Sequence, residues 1–209
     1  LELGTSALRR ARLRAALRLA VAFVLAAALS ACALARLAVP ARPSAIYDLT
    51  APTDFPVPSG SSAQLLVPEP SAFSALNTER IAIRPDAAQY AYLPQAVWSD
   101  SLPRLIQARL MEAFQNTGRV KAAGLPGQGL LIDYQVILDI RAFEVLDDHA
   151  VVAFTVKLMN DRGGQVVATR IIRSVAPIAA AGTADAVLAL DTAMDAAFVE
   201  TVGWVLARV

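Results

Sequence analysis

Ile132-Asp133-Tyr134-Gln135-Val136-Ile137-Leu138-Asp139-Ile140-Arg141 is the stretch on which the fold turns. Ile132, Tyr134, Val136, Leu138 and Ile140 alternate with Asp133, Gln135, Asp139 and Arg141. A period of two is that of a strand with one buried face. The alternation shifts near Ala142-Phe143, which predicts a bulge there. Two more apolar-patterned segments follow, separated by the turn chemistry of Asp147-Asp148 and Asn160-Asp161-Arg162-Gly163-Gly164. Together the three read as an antiparallel meander at the centre of a sheet.

Ile46–Leu49, Gln64–Val67, Arg80–Arg84 and Tyr90–Leu93 are further strand candidates. Pro68 and Pro85 end the second and third, and the pair over 80–93 reads as a hairpin. Leu102, Leu105, Ile106, Leu110, Ala113 and Phe114 share one helical face, with Ser99 and Asp100 as caps, Pro103 in the first turn and Asn116-Thr117-Gly118 at the end. A second amphipathic helix starts at Thr183 and puts Leu190, Ala193, Met194, Ala197, Thr201, Trp204 and Val205 on one side. The expectation is one α+β (or α/β) domain: a mixed, largely antiparallel sheet of about six or seven strands with two main amphipathic helices packed on it.

Composition misleads until the N-terminus is set apart. The hydrophobic fraction is 56% and the net charge +1, but residues 1–31 hold five arginines (Arg9, Arg10, Arg12, Arg14, Arg18) against Glu2 alone. From residue 32 onward, 14 basic residues face 17 acidic ones. That balance argues against a nucleic-acid partner, which requires surplus cations.

The basic cluster precedes an uncharged apolar run, Leu19–Leu29, in the order of a secretory signal. Leu29-Ser30-Ala31-Cys32 then has the form of a lipobox, with small residues before the chain's single cysteine. Cleavage between Ala31 and Cys32 is expected, with the Cys32 thiol taking a diacylglyceryl group and the freed amine a palmitate-type acyl chain. An uncleaved span is the competing reading, but about 17 apolar residues are at the short limit for a bilayer. The expected organisation is 1–31 signal peptide, 32–44 lipidated tether with Pro40 and Pro43, and 45–209 folded domain.

Residues that could carry chemistry are few. His149 is the single histidine, and beside Asp147 and Asp148 it reads as a solvated hairpin tip rather than a metal or acid–base site. Asp191 and Asp195 lie at i, i+4 on what reads as the polar face of the last helix. Gly124-Leu125-Pro126-Gly127-Gln128-Gly129 lacks the Lys and Ser/Thr of a phosphate cradle and reads as a turn. Trp98 and Trp204 read as packing residues at the edges of helical patterns, with a partner surface as the alternative for either. No catalytic, metal or cofactor residue is assigned; the one site named is Cys32.

Tyr47-Asp48-Leu49, Leu65-Leu66-Val67-Pro68-Glu69-Pro70, Glu79-Arg80-Ile81-Ala82-Ile83-Arg84-Pro85, and the run from Tyr90 through Trp98, Leu102, Leu105 and Leu110 to Gly118 resemble the ABC-type transport auxiliary lipoproteins, the PqiC-like family. The resemblance extends to Phe143 and Trp204. It implies a non-enzymatic outer-membrane lipoprotein of a Gram-negative envelope, working with MCE-domain proteins and ABC or paraquat-inducible-type permease components that move lipids or other hydrophobic molecules. It also implies docking of the MCE assembly, with assembly of copies into a ring as an open possibility. Ala33, rather than aspartate, after the cysteine points to the outer membrane. Two other classes stay open: a secreted lipoprotein hydrolase around His149, and a substrate-binding lipoprotein of an importer.

Overall fold

A computed structural model describes residues 45–56 and 60–209. Its elements run β1 (Ala45–Tyr47), β2 (Gln64–Leu66), β3 (Ser71–Ala72), β4 (Arg80–Asp86), β5 (Gln89–Trp98), α1 (Leu102–Asn116), β6 (Ala122–Gly124), β7 (Tyr134–Val145), β8 (His149–Asn160), β9 (Gln165–Pro177) and α2 (Thr183–Leu206). Among the described residues all nine strands join one mixed sheet, and these residues belong to one compact unit.

The meander is where the alternation placed it. β7 pairs antiparallel with β8, and β8 with β9. The other edge of β7 takes β2, β3 and β4 in succession, all parallel to it. β6 extends β2, and β1 lies parallel to β5 beyond the β4–β5 hairpin. The antiparallel ladders of the meander are long, whereas each parallel ladder spans one to three residue pairs. Nine strands exceed the expected six or seven because β3 and β6 are two and three residues long. Pieces that short leave no alternation to read.

The β7 bulge falls between Ile140 and Ala142. It switches the buried set from Val136, Leu138 and Ile140 to Phe143 and Val145, so the strand keeps its apolar residues inward after the ladder slips. Prolines behave differently from expectation. β4 continues through Pro85 and β5 through Pro94, each at an irregular point of the β4–β5 register where no ladder N–H is required. Gln95, beside Pro94, has φ 54°, which belongs to the same irregularity.

Both helices are confirmed, with one change at a cap. Ser101 is the N-cap of α1 and its side chain makes no capping bond. Asp100 instead accepts the Ser101 N–H at 2.6 Å, and the Leu102 N–H goes to Thr78 O at 3.1 Å. Gly118 closes the helix with φ 58°, where a side chain would be strained. α2 lies on β8 and β9, burying Leu190, Ala193, Met194, Ala197, Thr201, Trp204 and Val205 as the periodicity predicts. Thr201 satisfies its buried hydroxyl by donating to Ala197 O at 2.7 Å. Among the described residues no helix is long and apolar enough to cross a membrane.

The core fills the space between the sheet and the helices. Phe154 of β8 stacks on Phe198 of α2, with ring centroids 5.9 Å apart. Trp98 meets Phe143 edge-on at 5.8 Å. Trp98 therefore packs from the end of a strand rather than from a helical edge, and Trp204 packs from within α2.

Candidate functional site

Ala31 and Cys32 lie outside the described residues.

His149 opens β8 at the β7–β8 turn. Its Nδ1 stands 2.6 Å from Asp148 Oδ1, and this contact holds the Asp148 carboxyl below the usual aspartate range. Asp147 and Asp148 are exposed to solvent. Among the described residues, no group of three His, Cys, Asp or Glu side chains stands close enough to hold a metal ion. The Gly124–Gly129 segment is a turn with a tight inner contact. A Cβ on Gly124 would sit 2.5 Å from Gln128 Oε1 and 2.6 Å from Leu130 Cδ1, so a side chain there would have to push aside the ends of these two side chains where they fold back on β6.

The aspartate pair on α2 departs from the expected solvated face. Asp191 accepts both the Thr50 N–H and the Thr50 hydroxyl at 2.8 Å, fastening the segment after β1 to the helix. Asp195, one turn on, has a buried Oδ1 with no hydrogen-bond partner. Burial, reinforced by the Asp191 charge, pushes the Asp195 pKa up to about 6. Because the folded form holds its proton more tightly than the unfolded chain, this group favours folding most at low pH, and that contribution is lost as pH rises from about 4 to about 6. Asp195→Asn is therefore expected to stabilise the protein at pH 7 by about 1 kcal/mol, a figure reduced for the water that still reaches the group. Urea unfolding at pH 4 and pH 7 checks it: the gain should be present at pH 7 and absent at pH 4.

A polar cluster that sequence reasoning missed sits where β4, β5 and β7 meet. Glu144 is 5% exposed. Its carboxylate accepts Arg84 Nη1 at 3.2 Å and the Tyr90 hydroxyl at 2.7 Å. Arg84 Nη2 also donates to Ala87 O, tying the β4–β5 turn to the same point. Burial first, then the neighbouring Glu144, pushes the Tyr90 hydroxyl up to about 12. The available signal was an acid between Phe143 and Val145 just after the slipped alternation. Glu144→Ala leaves Tyr90 and Arg84 without their shared acceptor and is expected to cost about 2–4 kcal/mol. Chemical denaturation measures it, and Glu144→Gln, which keeps an acceptor for the tyrosine, should lose less.

The segments that carry the family resemblance prove to be structural brackets. Asp48 accepts the Leu49 N–H at 2.8 Å, the Ser99 hydroxyl at 3.2 Å and Arg109 Nη2 at 2.7 Å. Burial works to raise its pKa, but these donors, Arg109 foremost, hold it below the usual range. Gln107 donates from α1 to Val67 O at 2.9 Å. Asp48, Val67 and Trp98 thus bind β1, β2 and β5 to α1 and the core rather than forming a reactive centre.

Open clefts lie at both ends of the meander among the described residues. One, of about 340 Å³, lies between the β4–β5 and β7–β8 turns and is walled by Arg84, Asp86 and Asp147. The other, also about 340 Å³, is polar and lined by Ser61, Asp133, Asn160 and Arg162. Both are near the small end of ligand sites, roughly 300 Å³; the first also has apolar wall from Pro85, Ala87 and Leu146, whereas the second is mainly polar. The more distinctive surface is β9, where Val166, Val167, Ile171 and Val175 are exposed by 53, 52, 60 and 46%.

Comparison with known proteins gives a consistent picture. Residues 47–200 match the family model described as the ABC-type transport auxiliary lipoprotein component. An uncharacterised protein of Bradyrhizobium diazoefficiens is 31% identical over 167 residues, covering 78% of this chain and 45% of that protein. The chain thus spans about half the length of this curated relative. The crystal structure of a protein from Xanthomonas campestris superposes with a TM-score of 0.74 at 26% identity, covering 78% of this chain and 95% of the other. A second solved structure, of an uncharacterised protein, shares the fold with a TM-score of 0.60 at 13% identity, covering 80% and 99% of the two chains.

Proposed function

Because this chain belongs to the ABC-type transport auxiliary lipoprotein family, we propose that it is a non-enzymatic, lipid-anchored component of an envelope transport system, fastened to the outer membrane through Cys32. In this reading the signal over 1–31 is removed, 32–44 is the tether, and the domain from residue 45 works in the periplasm. There it docks the MCE-domain assembly of a system that moves lipids or other hydrophobic molecules, with an ABC or paraquat-inducible-type permease as the further partner.

The observation that carries the reading is the family match across nearly the whole described domain, residues 47–200. Three features support it. The lipobox Leu29-Ser30-Ala31-Cys32 supplies the anchor, and Ala33 after the cysteine favours the outer membrane. The polar and charged residues that cluster in the fold, Asp48 with Arg109 and Glu144 with Arg84 and Tyr90, are occupied in holding elements together. A sheet that ends in a long exposed strand suits a protein that works by contact.

Cross-linking in the native envelope followed by affinity purification tests the role. Recovery of an MCE-domain protein or a permease component is expected. Recovery of neither, from cells that express the transport system, overturns it.

A further inference from the structure

β9 is an edge strand thirteen residues long whose pairing, among the described residues, is with β8 alone. Every second residue on its far side therefore turns an N–H and a C=O away from the sheet. Natural edges are usually short, bulged, charged or covered, because such a row of unpaired groups is a template for another strand. Here the edge is long, and of the nine exposed large apolar side chains in the described residues, four lie on it. That concentration marks β9, rather than the surface at large, as unfinished.

The side chains define what would finish it. On the sheet face opposite α2, Ile171, Arg173 and Val175 stand opposite Thr155, Ala153 and Val151 of β8. Ile171 and Val175 are exposed, and Arg173 between them is exposed as well. The nearby cations on this face are Arg141, which donates to the Thr155 hydroxyl, and Lys157, which is paired with Asp139 at 2.9 Å. Glu144 on the same face is already bonded to Arg84 and Tyr90. The face thus offers apolar, cationic, apolar at alternate positions along β9, with Arg141 close by and the Lys157 charge already paired.

A second copy is a poor occupant. Two β9 strands paired through the same edge would bring both Arg173 side chains onto one seam, and like charges across a ladder are unfavourable. The outer strands on the other side of the sheet, β1 and β6, are three residues each and cannot cover thirteen.

We propose that the β9 edge receives an extended strand from a different protein, with the pattern apolar-x-acidic-x-apolar set against Ile171, Arg173 and Val175. Backbone hydrogen bonds supply the attachment, and the acid opposite Arg173 fixes register and selects against basic strands. The inference rests on the docking role only for the partner's place in the transport assembly; the surface itself can be tested alone.

The test uses the full lipidated chain in detergent micelles and a short synthetic peptide alternating valine and threonine around a central glutamate. A matched peptide carries lysine in place of the glutamate, and a third is N-methylated along one edge. The glutamate peptide should slow amide exchange within 165–177 and bind roughly tenfold more tightly than the lysine peptide, a difference of about 1.4 kcal/mol. Arg173→Glu should reverse that preference. Equal binding of the two peptides, undiminished binding of the N-methylated one, or exchange protection elsewhere overturns the proposal. So does protection of β9 that grows with protein concentration without peptide, which would mean self-association. Failure to recover transporter components from the envelope bears on the docking role and leaves the peptide result unchanged.

Discussion

Phe154→Ala is expected to lower the stability of the folded domain by about 3–5 kcal/mol, a large share of what a domain of this size has. Phe154 is fully buried in the middle of β8, with Ile140 of β7 and Ile172 of β9 as its cross-strand neighbours. Its ring stacks on Phe198 of α2 at 29° between planes. Three long paired strands hold the backbone on the sheet side and a 24-residue helix spans the other, so neither can sink into the space the ring leaves. The cost therefore includes the cavity as well as the lost transfer free energy. Urea unfolding followed by circular dichroism measures it, and Phe154→Leu gives a milder reading if the alanine variant does not fold. Phe73→Ala is the control: that ring is 46% exposed and should lose about 1 kcal/mol or less. Equal losses at the two positions would show that α2 is not packed on the meander as described.

Cys32→Ser is expected to have the largest consequence for function and almost none for the fold. Cys32 is the chain's single cysteine, so the sheet and helices from residue 45 onward contain no thiol whose loss they could register. The same thiol is the proposed point of attachment for the lipid. One acyl chain gives only marginal, reversible membrane binding, and each further chain adds about 0.8 kcal/mol per buried methylene. Wild-type protein should therefore show, by mass spectrometry of its N-terminal peptide, a chain beginning at Cys32 and carrying acyl mass. Cys32→Ser should lack that mass, fail to support transport, and melt at an unchanged temperature. An unmodified Cys32 in the wild-type protein would remove the anchor from the proposal.

Much of the architecture was legible because burial has a period. The alternation from Ile132 to Arg141 located β7, the Asp147-Asp148 and Asn160–Gly164 turns located its partners, and the slip at Ala142-Phe143 located the bulge. The faces of α1 and α2 followed from their spacing in the same way. What failed to show locally were features with no period: β3 and β6, too short to alternate, and the continuation of β4 and β5 through prolines that the register happens to spare.

The residues that could carry chemistry divide along the same line. The proposed lipobox is contiguous, because a protease and an acyl donor would read a short extended segment, and so Cys32 can be proposed from its sequence neighbours without any fold. The Arg84, Tyr90 and Glu144 cluster joins residues up to 60 positions apart, and only the parallel pairing of β4 with β7 brings them together. Asp195 reads as a solvated helix residue until the packing leaves one of its oxygens buried without a donor. The exposed apolar row on β9 likewise becomes meaningful only once β9 is known to be an edge, since the same valines in a central strand would be ordinary core. Local pattern fixes which way a side chain points along its own element. Which neighbour it meets, or whether it meets none, is decided by the long-range pairing of strands.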